Sequence, residues 1–299
     1  MKTTVYISSS CIQAVCGNCS KGGFKALSWH SAKLRPDAVV NGVVINESAV
    51  KSGFDELKAK LGAKAFSKVN IVVDSVSVLT KKIQTPSLSR DNMLKFVESE
   101  FADVSDVRDA LLYDYMPLGG KGAGFVLASA AEKSFIEGYV NLFRELDIKI
   151  ESIDVAAASV VRLAKTKDIR SKTCILAALD TNSVNLALFV GGDLKIFNHA
   201  RFYSTFGSGE FANEITQLIS SLSQFNAAQK TGADISDVYF AGSTVGDGSS
   251  EIVSLCEYVT TSLQIRTQLF PQCAEISTDA KTAFPTAQYF YCAGNLLGY

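Results

Sequence analysis

The amino-acid sequence predicts an α/β protein made of a duplicated unit with a small module lodged in the first copy. Three observations carry this. Short β-branched apolar runs alternate with stretches of helical periodicity along the chain. The order strand, turn, strand, meander, helix, strand occurs twice. Between residues 78 and 149 the first copy is interrupted by a β-α-β-β-α pattern with its own turn signals. At 299 residues the chain has room for two medium domains, and 47% hydrophobic against 20% charged residues is the balance of a folded chain rather than a disordered one.

The elements follow in order. Residues 3–15 and 24–30 read as a meander turning at Gly17 and Gly22-Gly23, and Asn41-Gly42 is a turn signal before 43–45. Residues 48–61 carry Val50, Phe54, Leu57 and Leu61 at helical spacing, and Gly62 ends that helix. Residues 69–73 are a short buried-strand run. In the module, 79–83 is a strand, Pro86-Ser87-Leu88-Ser89 leads into a capped helix over 90–101, and 110–117 and 124–130 are strands. The stretch 118–123 between them reads as a hairpin turn, since it lacks the G-x4-G-K-[ST] pattern of a phosphate loop. A helix over 133–146 and a strand over 148–153 close the first copy. The second has helix 154–164, strand 173–180, the meander 184–190 and 194–201 about Gly191-Gly192, and helix 210–225. Strand 237–241, helix 250–262, strand 264–269 and a final helix over 284–297 complete it.

Composition excludes several classes. A net charge of −1, with Lys and Arg scattered, offers no nucleic-acid face. No window is apolar enough for a membrane-spanning helix, and the N-terminus lacks a signal-peptide pattern, so a soluble, unexported protein without direct membrane insertion is expected. Cys11, Cys16 and Cys19 match the spacing of a plant-type iron–sulfur site, but the next cysteine is Cys174, and thiols in apolar segments are better read as small hydrophobes. His30 and His199 have no partner at ligand spacing, and no G-x-S-x-G elbow is present.

In a duplicated unit of this kind each first hairpin can offer its turn amides to a phosphate. The first turns through Ser8-Ser9-Ser10-Cys11 and the second through Asp180-Thr181-Asn182-Ser183. Ala241-Gly242-Ser243-Thr244, where a strand ends in a glycine turn before a helix, suits a nucleoside. A Mg²⁺ ion at the phosphates would take Asp180. On this reading Asp180 serves the ligand alone, and its removal leaves the stability of the free protein unchanged. The competing readings are that Asp180 merely starts a turn and Asp154 merely caps its helix.

These passages, in this order, resemble the PilM family, relatives of the division ATPase FtsA. Residues 5–15 resemble its phosphate-1 hairpin and 40–46 its Asn-Gly turn. Thr85-Pro86-Ser87-Leu88-Ser89 resembles the opening of its inserted subdomain 1C. Leu179 to Ser183, on through Arg201 and Gly207-Ser208-Gly209, resembles phosphate-2. Tyr239-Phe240-Ala241-Gly242-Ser243 resembles the adenosine motif and 287–298 the closing helix. The resemblance implies an actin-like ATPase fold of two RNase H-like domains. Residues 1–77 with 150–168 and 284–299 would form the first domain, 78–149 the 1C-like insert and 169–283 the second. It implies a site for ATP and Mg²⁺ built from Ser8, Ser9, Ser10, Gln13, Asp180, Asn182, Ser183, Gly207, Gly242 and Ser243. Asp154 would be the water-orienting catalytic residue. Where the family carries Asp, Gly and Lys, this chain has Tyr6, Ser8 and Gln13, so weak or lost nucleotide binding and little hydrolysis are expected.

The function so implied is a cytoplasmic scaffold of a type IV pilus or type II secretion-like platform. It would bind the cytoplasmic N-terminal tail of a PilN-like membrane protein between the insert and the first domain. It would reach the inner face of the membrane through that partner, with pilus assembly ATPases as further partners and room for oligomerisation. Excision of 79–148 should then remove tail binding and leave the rest folded. The alternative is an active actin-like ATPase or small-molecule kinase. An FtsA-like polymerising protein would call for a basic amphipathic C-terminal helix, which 295–299 does not resemble.

Overall fold

The computed structural model describes residues 1–103, 110–119, 124–229, 232–246 and 249–298. The first copy opens with β1 (Lys2–Ile7), β2 (Cys11–Ser20) and β3 (Gly23–Lys33), a meander of antiparallel pairs. A two-residue hairpin, β4 (Val39–Val40) and β5 (Val43–Val44), turns through Asn41 and Gly42, both at positive φ. Only glycine fits at position 42, because a Cβ there would lie 2.2 Å from the Asp74 carbonyl. Helix α1 (Glu47–Leu61) starts where the Asn46 side chain accepts the Ala49 amide at 3.1 Å. It stops at Gly62, φ 86°, and buries Val50, Phe54 and Leu57. β6 (Lys68–Val73) and β10 (Lys149–Val155) then extend the sheet in parallel, and β16 (Ile276–Thr278) lies at its other edge, giving the order β10-β6-β1-β2-β3-β16.

The second copy repeats five of these strands in the same order and has, among the described residues, no counterpart of β16. β11 (Cys174–Leu179), β12 (Ser183–Val190) and β13 (Asp193–Arg201) form its meander, and β14 (Asp237–Ala241) and β15 (Arg266–Leu269) its parallel extension, in the order β13-β12-β11-β14-β15. Helices α5 (Gly209–Ala228) and α6 (Ser250–Leu263) accompany it. The two sheets meet on α4 (Ala156–Ala164) and α7 (Phe290–Leu296), which share one core with both copies. Period-2 alternation divides the first sheet. Tyr6, Val15 and Val72 face that shared core, whereas Val5, Ile7, Ala14 and Ile71 face α1 on the other side.

The module is a sheet of order β7-β9-β8, with β7 (Val78–Thr85), β8 (Leu111–Gly119) and β9 (Gly124–Glu132). Helix α2 (Arg90–Glu100) buries Val97 on one of its faces, beside Ile83, Val126, Ala128 and Ala130. Helix α3 (Lys133–Glu145) departs from the expected plan. Its Phe135, Tyr139, Leu142 and Phe143 pack with α1 and the first sheet, and Phe54 meets Phe143 edge-on at 5.2 Å. Excising 79–148 would strip six buried aromatic and aliphatic side chains from that core, Leu146 and Ile148 included, so the remainder is not expected to fold. Residues 120–123 of the expected hairpin turn lie outside the described residues.

Two further departures come from long-range partners. β16 (Ile276–Thr278) runs parallel to the edge of β3, and the Phe24 amide donates to the Glu275 carbonyl at 2.9 Å. The final helix begins at Phe290 rather than 284, and long-range bonds hold the segment ahead of it. The Ala287 carbonyl accepts the Gly242 amide at 2.8 Å, and the Gln288 carbonyl accepts Gln13 Nε2 at 3.0 Å. These bonds orient the two peptides toward β14 and β2.

Candidate functional site

The tips of the two first hairpins, where β1 and β11 end, face each other across a cleft between the copies. In the first tip the Ser8 side chain folds into its own turn. Its Oγ accepts the amides of Ser10 at 3.2 Å and Cys11 at 3.0 Å and donates to the Cys11 carbonyl at 3.1 Å. The remaining amide, that of Ser9, donates across the cleft to Asp180 Oδ2 at 3.1 Å. The other carboxylate oxygen accepts the Thr181 amide and the Ser243 hydroxyl, each at 2.8 Å. Ser243 reaches it because Gly242, φ 114°, lets β14 approach β11 so closely that a Cβ would lie 2.1 Å from the Leu179 carbonyl. Thus Ser9, Asp180 and Ser243, which are 63 or more residues apart, converge, and Asp180 bridges both copies.

A second bridge lies beside it. Asp74, directly after β6, accepts Asn185 Nδ2 at 2.6 Å and stands 3.5 Å from His199 Nδ1. His199 Nδ1 is 3.0 Å from Asn185 Oδ1, and Asn185 Nδ2 also donates to the Tyr291 hydroxyl at 2.6 Å. Tyr291 packs on Tyr6 with ring centroids 4.6 Å apart. Burial, and then the carboxylates of Asp180 and Asp74, push the Tyr6 hydroxyl well above its ordinary pKa; burial and Asp74 do the same for Tyr291. Both therefore stay protonated. Asp74 follows the same cue as Asp180, a carboxylate ending an apolar strand, whereas the partners of His199 lie 14 and 125 residues away and leave no local signal.

The cavity these groups line measures about 20 Å³, on the scale of one water molecule. Asn182 and Ser183 line it as well; among the described lining residues there are two carboxylates and no Lys or Arg. Gln13 lies away from it, buried and engaged with Gln288. Gly207, φ 82°, belongs to the turn before α5, with Glu251 as its neighbour. Asp154 lies neither in the cleft nor at a helix head. It is the penultimate residue of β10, ion-paired with Arg162 and accepting Asn295 Nδ2 at 3.0 Å. The helix that was expected to begin there starts at Ala156, capped by Val155 without a side-chain bond.

Asp180 is therefore also a structural residue, contrary to its reading as a ligand residue alone. Asp180→Ala is expected to destabilise the free protein by ~2 kcal/mol, because it orphans the Ser9 amide. Asp180→Asn, which keeps an acceptor, should cost about half as much. Urea midpoints check this, and an unchanged midpoint for the alanine variant would mean that the bridge is not made in solution.

A much larger space lies elsewhere. A groove of about 370 Å³ runs between the module sheet and the ends of β6, β10 and α4, lined by Met116, Ser129, Ile136, Ile153 and Ala158, with Asp154 and Arg162 also along it. Its module wall is the sheet face opposite α2, where Leu112, Asp114 and Met116 stand across from Ala131, Ser129 and Leu127. Among the described residues no helix is long and apolar enough to cross a membrane.

Two sheets that share a five-strand plan, joined through paired helices and meeting at opposed hairpin tips, define the class: the actin-like ATPase fold. The sequence family described as Type IV pilus assembly protein PilM matches residues 4–195, and the chain belongs to that family. The structure of a PilM-PilN type IV pilus biogenesis complex is similar at a TM-score of 0.79 and 16% identity, over 99% of this chain and 98% of that one. A Bacteroides thetaiotaomicron protein described as having an actin-like ATPase fold and unknown function follows at 0.54, with 10% identity over 90% of each chain. The ethanolamine utilization protein EutJ from Carboxydothermus hydrogenoformans is similar at 0.51, with 11% identity over 99% of this chain and 89% of that one. These likenesses concern the fold. No curated protein sequence matches the chain.

Proposed function

We propose that this chain is a PilM-type scaffold of a type IV pilus assembly platform. It binds the cytoplasmic tail of a PilN-like membrane protein in the groove between module and first sheet, and is held at the inner face of the membrane by that partner. The observation that carries this is the contrast between the two spaces. The groove has about 370 Å³, largely apolar, and the nucleotide-type cleft about 20 Å³. In the cleft, the amides that would cradle a phosphate are spent on Ser8 and Asp180. Two carboxylates there would repel a triphosphate, and ATP·Mg²⁺ could enter only by breaking the Asp180 bridge. The two halves are thus fastened by side chains at the point where a nucleotide would otherwise set their angle. A structure similar over nearly the whole chain, at a TM-score of 0.79, is that of a PilM-PilN complex, which supports the choice of partner.

Calorimetry tests both halves of the proposal on one sample. A synthetic peptide of the PilN-like tail is expected to bind the purified chain, and ATP·Mg²⁺ at millimolar concentration to give no heat beyond dilution. Tight ATP binding would reverse the reading of the cleft and bring a nucleotide switch forward. No heat with the peptide would remove the groove from consideration as its site.

A further inference from the structure

We infer that the groove receives its partner by β-strand addition: an extended segment pairs with β8 and turns alternate apolar side chains into the groove. This rests on the tail-binding reading above and adds how the tail is held. Among the described residues β8 is an edge strand, paired with β9 alone. Tyr115 packs against the α2 side of the module and also lines the groove, so it spans the edge of the sheet between the two faces. The backbone parity agrees. The Tyr115 amide donates to the side chain of Asp114 at 2.8 Å. Pro117, two residues on and so on the same side, has no amide to leave unpaired, as suits an outward edge position. Among the described residues no backbone hydrogen bond from beyond the ladder reaches Tyr115 or Pro117.

The bed beneath that edge selects the occupant. Ile136, Ile153, Val155 and Ala158 offer an apolar floor to every second side chain of a strand. Asp154 and Arg162 neutralise each other, which leaves Asp114 as the lining charge with no ion-pair partner among the described residues. Exposed, and capping its own neighbour's amide, Asp114 guards the edge in the free protein, as charged residues on open strands do. A segment with a basic residue opposite would draw the carboxylate away and free the Tyr115 amide for pairing. The partner segment is therefore extended, apolar at alternate positions and basic at one position near Asp114.

The experiment uses the full chain and synthetic tail peptides N-methylated one backbone position at a time. Methylation removes a donor only where the amide faces β8. The expected result is an alternating pattern: at every second position affinity falls by at least about tenfold, and at the intervening positions it is kept. Hydrogen exchange at the Tyr115 amide should slow on peptide binding, and Asp114→Lys should weaken binding about threefold. A peptide that binds with no alternation, or leaves Tyr115 exchange unchanged, overturns strand addition while the groove reading survives. A peptide that does not bind at all overturns both.

Discussion

Gly294→Val is expected to destabilise the protein by ~3 kcal/mol or more, a large part of the 5–15 kcal/mol that holds a typical domain together. Gly294 lies in α7 where it crosses α4. A Cβ built there would stand 2.4 Å from the Ser159 carbonyl and 2.7 Å from its Cα. Those are backbone atoms of a helix buried between the two sheets, so neither rotamer change nor solvent can relieve the overlap. Urea unfolding measures it, and Gly138→Ala is the internal control. Gly138 sits within α3 with nothing within 4 Å of its would-be Cβ, and alanine there should stabilise by about 0.5–1 kcal/mol. Equal effects at the two sites would mean that the α4–α7 crossing is looser than described.

Ser129→Trp is expected to lower the affinity for the PilN-like tail at least about thirtyfold, the equivalent of a ~2 kcal/mol hot spot, with little change in thermal midpoint. Ser129 is on the central strand β9, opposite Asp114, and lines the floor of the groove. An indole there would fill much of the space the partner needs, and it would not enter the α2 core formed by Ala128 and Ala130 on the other face. Retained binding together with a normal melt would locate the tail outside the groove. Loss of binding with a collapsed melt would call for the smaller Ser129→Leu.

Much of the architecture was legible in the residues. Short apolar runs marked most of the strands, helical spacing marked α1 and α5, and Asn41-Gly42, Gly62 and Gly191-Gly192 marked turns that do adopt positive φ. The repetition of strand order was legible too, because each copy carries its own punctuation. The misses share a cause. β16, the late start of α7 and the allegiance of α3 are each settled by a partner far along the chain: Phe24 for Glu275, Gln13 and Gly242 for Gln288 and Ala287, Phe54 for Phe143. Local propensity carries no record of such partners.

The same division runs through the candidate sites. By itself the sequence determined that hairpin tips with small residues recur in both copies and that the second is opened by a strand-ending carboxylate, Asp180, since hydroxyls, glycine and Asp declare their turn chemistry locally. It also placed Gln13 and Tyr6 where the resemblance implies a lysine and a carboxylate. Only the tertiary structure decided that Ser8 consumes the turn amides beside it, that Asp180 fastens one copy to the other, and that Asp154 serves Arg162 and Asn295. It alone opened the groove under β8. A hydrogen bond has a defined distance and direction, so which donor an oxygen accepts is settled only when the sheets have brought distant residues within 3 Å.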